Sequence, residues 1–241
     1  MAEQEIALIV GAGSGLSASL ARLFANEGMA VAVAARNADK LAPICEETGA
    51  KAYSCDAVEG DQVDRLFDAV GADIGIPDIV VYNASARARG PIAEVDRDAV
   101  KTAVMVSCYA GFLVGQKAAQ VMLPRGSGSI LFTGASASTK GYPQSAPFAM
   151  GKFGLRGLAQ AMARELAPQN IHIGHFVIDG GISKGGDDPR ATRSLADGQN
   201  GGVTDSLLDP DAIARTYLDL HRQHRSAWTW EVELRPWVEK F

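Results

Sequence analysis

The chain has 241 residues, of which 47% are hydrophobic and 21% charged, with a net charge of -5 and an isoelectric point near 5.4. This composition supports a folded core, excludes collagen, coiled coil and disorder, and argues against nucleic acid as a partner. The N-terminal segment has two acids where a secretory signal has lysine or arginine, so we expect a cytoplasmic protein without a membrane span. Cys45, Cys55 and Cys108 are widely spaced, which predicts free thiols and no metal site.

Short apolar runs alternate with helical patterns along the chain. The runs predict strands at residues 5–10, 30–34, 51–54, 79–82, 130–132, 171–178 and 228–234. Helical patterns separate them, including long ones from about Val95 to Met122 and from about Ala146 to Leu166. Because most runs are apolar on both faces, they indicate a parallel sheet covered by helices on both sides. We therefore predict a doubly wound α/β fold of about seven strands, with residues 1–241 in one domain.

Two segments near the C-terminus depart from this pattern. Residues 184–202 are rich in glycine and polar side chains, which favours a mobile lid. In residues 228–234 apolar and polar side chains alternate, which is typical of a strand with one buried face. We expect that strand to lie at the edge of the sheet.

A glycine cluster lies between the first strand and the first helix, formed by Gly11, Ala12, Gly13, Ser14, Gly15 and Leu16. Backbone N–H groups at such a turn can bind the pyrophosphate of a dinucleotide. The spacing departs from G-x-G-x-x-G, because the last glycine position is occupied by Leu16. A tight strand-to-helix turn without a ligand is the alternative interpretation.

The end of the second strand reads Ala34-Ala35-Arg36-Asn37 and contains no acid. A carboxylate there would bind the ribose 2′-hydroxyl of NAD, whereas an arginine suits the 2′-phosphate of NADP. Arg36 therefore favours NADP over NAD, and a solvated arginine at the start of a helix is the alternative.

The chain resembles the short-chain dehydrogenase/reductase family over nearly its whole length. The resemblance is carried by Gly11 to Gly15, Ala35-Arg36-Asn37, Asp56-Ala57 and Asn83-Ala84. Val10, Ser17 and Ser85 depart from the family's glycine and N-N-A-G motifs. The resemblance implies that Asp56 and Ala57 contact the adenine, and that Asn83 and Ala84 line the nucleotide ribose.

The catalytic positions match the family less well. The family uses an Asn-Ser-Tyr-Lys set, in which the lysine lowers the tyrosine pKa. Here Y-x-x-x-K reads Phe148 to Lys152, while the serine and asparagine positions fall on Ala135 and Ser107. Only Lys152 is retained, although a shift of one residue would let Ser136 replace the serine.

Two loops complete the predicted site. Tyr142, in the loop after the fifth strand, is our candidate for a substitute acid, and a lid tyrosine that packs on substrate is the alternative. The family's P-G stretch, whose backbone meets the nicotinamide, falls on Asp179 to Ser183 with its proline replaced. The predicted cofactor contacts are therefore Gly11, Gly13, Ser14, Gly15, Leu16, Arg36, Asp56, Ala57, Asn83, Ala84, Lys152, Gly180 and Ile182, and the catalytic candidates are Lys152, Tyr142 and Ser136.

Two functions are compatible with these residues. The first is an NADP-dependent oxidoreductase that acts on a small carbonyl or alcohol, with Tyr142 or water replacing the usual phenol. The second is a non-catalytic NADP(H)-binding protein that acts as a sensor or partner subunit. The resemblance also implies a homodimer or homotetramer assembled through the helices that carry Ser107 and Lys152 and through the last strand.

Overall fold

The computed structural model describes residues 4–184, 188, 190 and 206–238, and it contains a wholly parallel sheet. The strands are β1 Ile6–Val10, β2 Ala30–Ala35, β3 Lys51–Ser54, β4 Ile79–Tyr82, β5 Gly128–Thr133, β6 Ile171–Ile178 and β7 Glu231–Leu234. Their order is β3-β2-β1-β4-β5-β6-β7. The predicted doubly wound fold of seven strands is confirmed.

Helices cover both faces of the sheet. They are α1 Leu16–Asn26, α2 Ala42–Thr48, α3 Gly60–Asp73, α4 Arg97–Val104, α5 Ala110–Met122, α6 Ala146–Leu166 and α7 Pro210–His221. Alternate side chains of β1 point to opposite faces, so Ile9 packs with α1 and α7, while Val10 packs with α3, α5 and α6. Each large apolar side chain buried in these two layers contributes about 1.5–3 kcal/mol.

A π-helical turn at Met105–Tyr109 joins α4 to α5. The single helix predicted from Val95 to Met122 is thus divided by this turn into α4 and α5. It begins at Arg97, because the Asp96 side chain caps it by accepting a hydrogen bond from the N–H of Ala99 at 2.7 Å. The buried hydroxyl of Tyr82 donates to the carbonyl of Val106 inside the turn. Such turns are often found at functional sites, and this one presents Ser107 to the loop after β4.

Residues Arg97–Arg125 form a 29-residue helical segment that is long and apolar enough to span a membrane, with a mean hydropathy of 1.2. In this fold, however, Val114 and Met122 are buried against the sheet. A core helix meets the same criteria of length and composition, so the segment is weak evidence for a membrane. Its outer side joins α6 in an exposed apolar set, called the α5/α6 face below, formed by Tyr109, Phe112, Met150 and Phe153.

The last strand is shorter than predicted. It comprises Glu231–Leu234 and pairs with β6 at the sheet edge, as expected. Trp228 precedes it and stacks on His172, with ring centroids 4.5 Å apart, so packing on the neighbouring strand takes this residue out of the sheet. Glu231, which the alternation predicted to be solvent-facing, is half-buried because Arg156 and His175 bind its carboxylate.

The predicted lid at 184–202 lies mostly outside the described residues. Of its described members, the Asp188 carboxylate accepts hydrogen bonds from the N–H of Lys184 and from the side chain of Arg190. The guanidinium of Arg190 also donates to the carbonyl of Ile182 at 2.8 Å. These bonds tie the described part of the segment to the chain that follows β6.

Candidate active site

Two adjoining clefts open at the carboxyl ends of the central strands. The first, called the glycine-loop cleft, measures about 580 Å³ and is lined by the Gly11–Ser14 loop and by residues after β2, β3 and β4. The second, called the Lys152 cleft, measures about 750 Å³ and includes Lys152, Phe148 and Tyr142. Asn83 and Ser85 line both clefts, which meet where the order of strands reverses between β1 and β4. Ligands of doubly wound folds bind at such a switch point.

Glycines in the first cleft serve two different purposes. Gly11 has a φ of +84°, and a Cβ there would lie 2.4 Å from the backbone nitrogen of Ala84, so packing requires glycine. A Cβ on Gly13 would meet no protein atom within 4 Å. Packing gives no reason for glycine at 13, whereas close approach by a pyrophosphate does. The loop therefore fits the predicted dinucleotide.

Two predicted cofactor contacts, Gly15 and Leu16, line neither cleft. Gly15 is the N-cap residue of α1 and has no side chain to cap the helix. The side chain of Leu16 is buried in the core, so only its backbone belongs to the helix N-terminus that attracts an anion.

Ser17 occupies the position of the last family glycine and connects the loop to β4. The side-chain amide of Asn83 donates to the Ser17 hydroxyl at 2.7 Å, and that hydroxyl contacts the carbonyl of Gly11 at 3.4 Å. Both side chains are partly or fully buried. The hydroxyl thus fixes the loop by hydrogen bonding in a place where the family motif has glycine.

The far end of the glycine-loop cleft is cationic. Arg36 and Lys40 both line it, and neither makes an ion pair with the described residues. Asn37 caps the short 3-10 turn between them, because its side chain accepts from the N–H of Asp39 at 3.0 Å. Asp56 and Ala57 line the same cleft. Lys40 was not predicted to line the cleft, although it lies four residues after Arg36, a spacing that places two side chains on one side of a helical turn.

Lys152 lies beneath the second cleft and is only 2% exposed. Its ammonium group donates to the carbonyl of Thr133 at 2.7 Å. Burial, together with the positive charge of Arg87, lowers the pKa of Lys152 to about 7. No carboxylate pairs with it among the described residues, so it binds a proton weakly for a lysine.

The side chain of Phe148 lies on the same helix face as Lys152, with its ring centroid 6.0 Å from the Lys152 nitrogen. Arg87 covers this ring, its guanidinium carbon 4.2 Å from the centroid. A hydrocarbon ring between two cations offers no proton to a substrate. Arg87 was missed by sequence analysis because its partner is 61 positions away in the chain.

Known proteins match this sequence and this fold. The family model for short chain dehydrogenase matches residues 5–183. (+)-Borneol dehydrogenase 1 of Salvia officinalis is 30% identical over 227 residues, which cover 90% of this chain and 86% of that protein. The chain belongs to the short-chain dehydrogenase family.

Solved structures agree with this assignment. A short-chain dehydrogenase from Rhodopseudomonas palustris is 35% identical, with a TM-score of 0.79, covering 98% of this chain and 100% of that one. A variant of actinorhodin polyketide ketoreductase with NADPH has a TM-score of 0.87, covers both chains fully and, at 22% identity, shows the fold alone. The protein is an NAD(P)-type short-chain oxidoreductase.

Ser107, at the position of the asparagine in other short-chain dehydrogenases, does not line either cleft. Its hydroxyl donates to the carbonyl of Ala86 and accepts from the N–H of Ala86, both at 3.2 Å. Gly151 lets α6 approach it, since a Cβ there would lie 2.7 Å from the Ser107 Cβ. Ser107 therefore holds the loop that carries Arg87.

Ala135, at the position of the catalytic serine of this family, lines the Lys152 cleft together with Ser136. The Ala135 N–H donates to the hydroxyl of Ser138 at 3.1 Å, and that hydroxyl lies 3.4 Å from Nε2 of His175. Burial lowers the pKa of His175 to about 4, which keeps the imidazole neutral near pH 7. Because Nδ1–H then donates to the Glu231 carboxylate, Nε2 accepts from Ser138.

The structure brings all three predicted catalytic residues to one cleft, since Tyr142 and Ser136 line it with Lys152. Tyr142 is 46% exposed. Its backbone carbonyl accepts from the N–H of Ser145 at 3.1 Å, which anchors the loop just before α6. This loop therefore presents a phenol to the cleft from outside α6.

Gly180 and Ile182, the predicted nicotinamide contacts, line the Lys152 cleft. Asp179, in place of the family's proline, is buried, and its carboxylate accepts from Lys140 at 3.0 Å and Arg235 at 2.8 Å. The acid is compensated by these two cations. Among the described residues there is no group of three metal-ligating side chains.

Proposed function

We propose that this oxidoreductase uses NADP(H) in preference to NAD(H) and interconverts a small carbonyl compound and its alcohol. The glycine-loop cleft carries the proposal, because Arg36 and Lys40 line its far end and the end of β2 has no acid. Two cations favour a 2′-phosphate, whereas the 2′-hydroxyl of NAD would need a carboxylate. When bound, the cofactor supplies or accepts the hydride.

The residues of the chain divide the remaining work. The backbone at Gly13 and Ser14 faces the pyrophosphate, and Asp56, Ala57, Asn83 and Ala84 line the nucleoside part of the cleft. Lys152 is held by Thr133 below the nicotinamide side, where Gly180 and Ile182 offer backbone groups. Carbonyl reduction adds a hydride to carbon and a proton to oxygen, so the chain must also deliver a proton.

Tyr142 is the proposed proton donor, because Phe148 has no hydroxyl and Tyr142 is the phenol that lines the same cleft. Ser136 lines this cleft, and we assign its hydroxyl to hydrogen-bond the substrate oxygen. Water that enters the open cleft is the other source of the proton.

A non-catalytic NADP(H)-binding role is the second candidate. It is favoured by the simultaneous loss of the phenol at Phe148 and the hydroxyl at Ala135, which removes both groups that act on the substrate oxygen in the family. Such a protein needs the glycine-loop cleft but makes no demand on Tyr142.

The test is a fluorescence titration of the protein with NADPH and with NADH, followed by turnover assays on a panel of small ketones and aldehydes. The proposal expects tighter binding of NADPH and measurable reduction of at least one carbonyl compound. Binding without turnover on any carbonyl or alcohol supports the second candidate. Absence of binding by both nucleotides overturns both.

We further propose that the chain forms a homodimer or homotetramer through the α5/α6 face. The side chains of Phe112 and Phe153 are 39% and 44% exposed on adjoining helices, and covering them would remove apolar surface from water. Phe112→Glu with Phe153→Glu should give monomers in sedimentation velocity. Ile92→Glu, at an exposed isoleucine outside this face, is the control. A monomeric wild type contradicts the proposal, and the cytoplasmic location stays a prediction.

A further inference from the structure

The Lys152 cleft carries more positive charge than its acids balance. Four of its lining side chains are cationic: Arg87, Arg89, Lys152 and Arg190. Asp188 binds Arg190, and the one acid in the lining, Asp179, is occupied by two cations outside this set. In the described part of the chain, the other three cations have no carboxylate partner.

Arg87 is the best placed of the three to bind a ligand. Its guanidinium carbon lies 4.2 Å from the centroid of the Phe148 ring, and its N–H groups make no hydrogen bond with a described residue. Arg87 is exposed at the cleft, and desolvation together with the charge of Arg89 lowers its pKa. An anion at this position would relieve that repulsion.

The loop that carries Arg87 is fixed at both ends. The buried hydroxyl of Ser107 binds both backbone polar groups of Ala86, directly before Arg87. The N–H of Gly90 donates to the carbonyl of Gln144 at 3.1 Å, next to the Tyr142 segment. The backbone on both sides of Arg87 is therefore fixed before any ligand arrives, which lowers the entropic cost of binding.

The dinucleotide does not explain this arginine pair. Arg87 and Arg89 line the Lys152 cleft and are absent from the lining of the glycine-loop cleft. The phosphate groups of the nucleotide belong to the glycine loop and to Arg36 with Lys40. An anion bound by Arg87 and Arg89 would therefore come from another molecule.

We propose that Arg87, assisted by Arg89, forms an anion subsite for a carboxylate or phosphate group on the substrate. This inference rests on the proposed function, because the anion belongs to a substrate only if the protein is an oxidoreductase. It names the substrate class as an oxo or hydroxy acid or a phosphorylated carbonyl compound. A carboxylate or a phosphate can accept two parallel hydrogen bonds from the paired N–H groups of an arginine. The bound anion would place the rest of the substrate beside Phe148, Lys152 and Tyr142.

The test measures binding without turnover. The side-chain Nε–H signal of Arg87 in ¹⁵N-labelled protein is assigned by its loss in Arg87→Gln, and the wild type is titrated with acetate, inorganic phosphate and uncharged acetamide at constant ionic strength. We expect acetate, phosphate or both to shift this signal and acetamide to leave it unchanged. A shift with acetate alone assigns a carboxylate, and a shift with phosphate alone assigns a phosphate.

The dissociation constant of the preferred anion is then measured for variants by calorimetry. Arg87→Gln should raise it by about 10- to 100-fold, the scale of one charge-assisted hydrogen bond, and Arg87→Lys should raise it less. Arg65→Gln, which removes an exposed arginine of α3 outside both clefts, is the matched control and should match the wild type. Circular dichroism melts verify that each variant is folded.

Two results would overturn the subsite: no anion shifts the Arg87 signal, or Arg87→Gln and Arg65→Gln bind the anion equally well. The outcome is separable from that of the proposed function. If Arg87→Gln loses anion binding but no carbonyl compound is turned over, the subsite stands and the enzymatic proposal fails. If NADPH-dependent reduction is found with no anion effect, the reverse holds.

Discussion

The glycine-loop cleft and the Lys152 cleft lie side by side, yet departures from the family's motifs affect the two clefts differently. In the first, Ser17 replaces a family glycine, and a hydrogen bond from Asn83 accommodates the change. The glycine loop of that cleft offers backbone N–H groups, which survive side-chain substitution. In the second, Phe148 and Ala135 remove hydroxyl groups that no backbone atom can replace. Nucleotide binding is thus more tolerant of sequence change than proton transfer.

Restoring the lost groups is the strongest test of this contrast. If the cleft is otherwise intact and Tyr142 donates no proton, Phe148→Tyr with Ala135→Ser should raise NADPH-dependent carbonyl reduction by about 10²- to 10⁴-fold, the usual contribution of general acid catalysis. If Tyr142 is the donor, the gain should be much smaller. The ring that supports Arg87 is kept in this variant. Steady-state assays on the carbonyl panel measure the effect.

Phe148→Leu with Ala135→Ser is the control, since it opens the same position without a phenol. Equal activity of the two double variants would show that the cleft lacks more than the phenol.

Removing the proposed substitute acid should have an effect of similar size in the opposite direction. Tyr142→Phe keeps the ring in the loop and deletes only the hydroxyl, so we expect kcat to fall by about 10²- to 10⁴-fold with little change in NADPH affinity. If turnover is indifferent to this change, the proton comes from water or substrate. Tyr53→Phe, at a phenol bound to Asp73 away from the clefts, is the matched control.

The buried lysine predicts a pH-dependent difference in stability. Because burial lowers the pKa of Lys152 to about 7, the unfolded chain binds a proton there that the folded chain lacks between about pH 7 and pH 10. The free energy of unfolding of the wild type, relative to Lys152→Met, should rise by about 1.4 kcal/mol per pH unit across this window and be constant below it.

Urea unfolding of both proteins at about pH 6, 8 and 9.5 measures this difference. Lys101→Met, on an exposed position of α4, is the control for loss of a lysine. A difference that is flat in pH would mean that Lys152 keeps an ordinary pKa and is better solvated than its 2% exposure indicates.

Cofactor choice provides the smallest expected effect. Arg36→Ala should raise the dissociation constant of NADPH by about 10- to 100-fold and leave that of NADH nearly unchanged, since only the 2′-phosphate loses a charge-assisted partner. Lys40→Ala should act in the same direction more weakly. Equal weakening of NADPH and NADH by Arg36→Ala would contradict the assignment, because it would place Arg36 on a group that both nucleotides share.

The sheet was predictable because buried parallel strands are continuous apolar runs, as in β1 and β4. The glycine loop was predictable because its position after β1 is local information. Interactions between distant segments were not predictable. The contact of Arg87 with Phe148 and the burial of Glu231 depend on tertiary packing. The alternation of apolar and polar residues predicted that Trp228 belongs to the last strand, whereas Trp228 lies before β7 and stacks on His172.

The C-terminal strand belongs to the catalytic framework although none of its residues lines the Lys152 cleft. Arg156 donates two hydrogen bonds to the carboxylate of Glu231, which also binds the imidazole of His175. His175 in turn contacts the hydroxyl of Ser138, which accepts a hydrogen bond from the backbone N–H of Ala135. A chain truncated before Glu231 would keep the whole glycine-loop cleft yet leave the His175 imidazole without its anchor. Loss of this edge of the sheet would therefore disturb the loop that carries Ala135 and Ser136, which line the Lys152 cleft, before it altered the glycine-loop cleft.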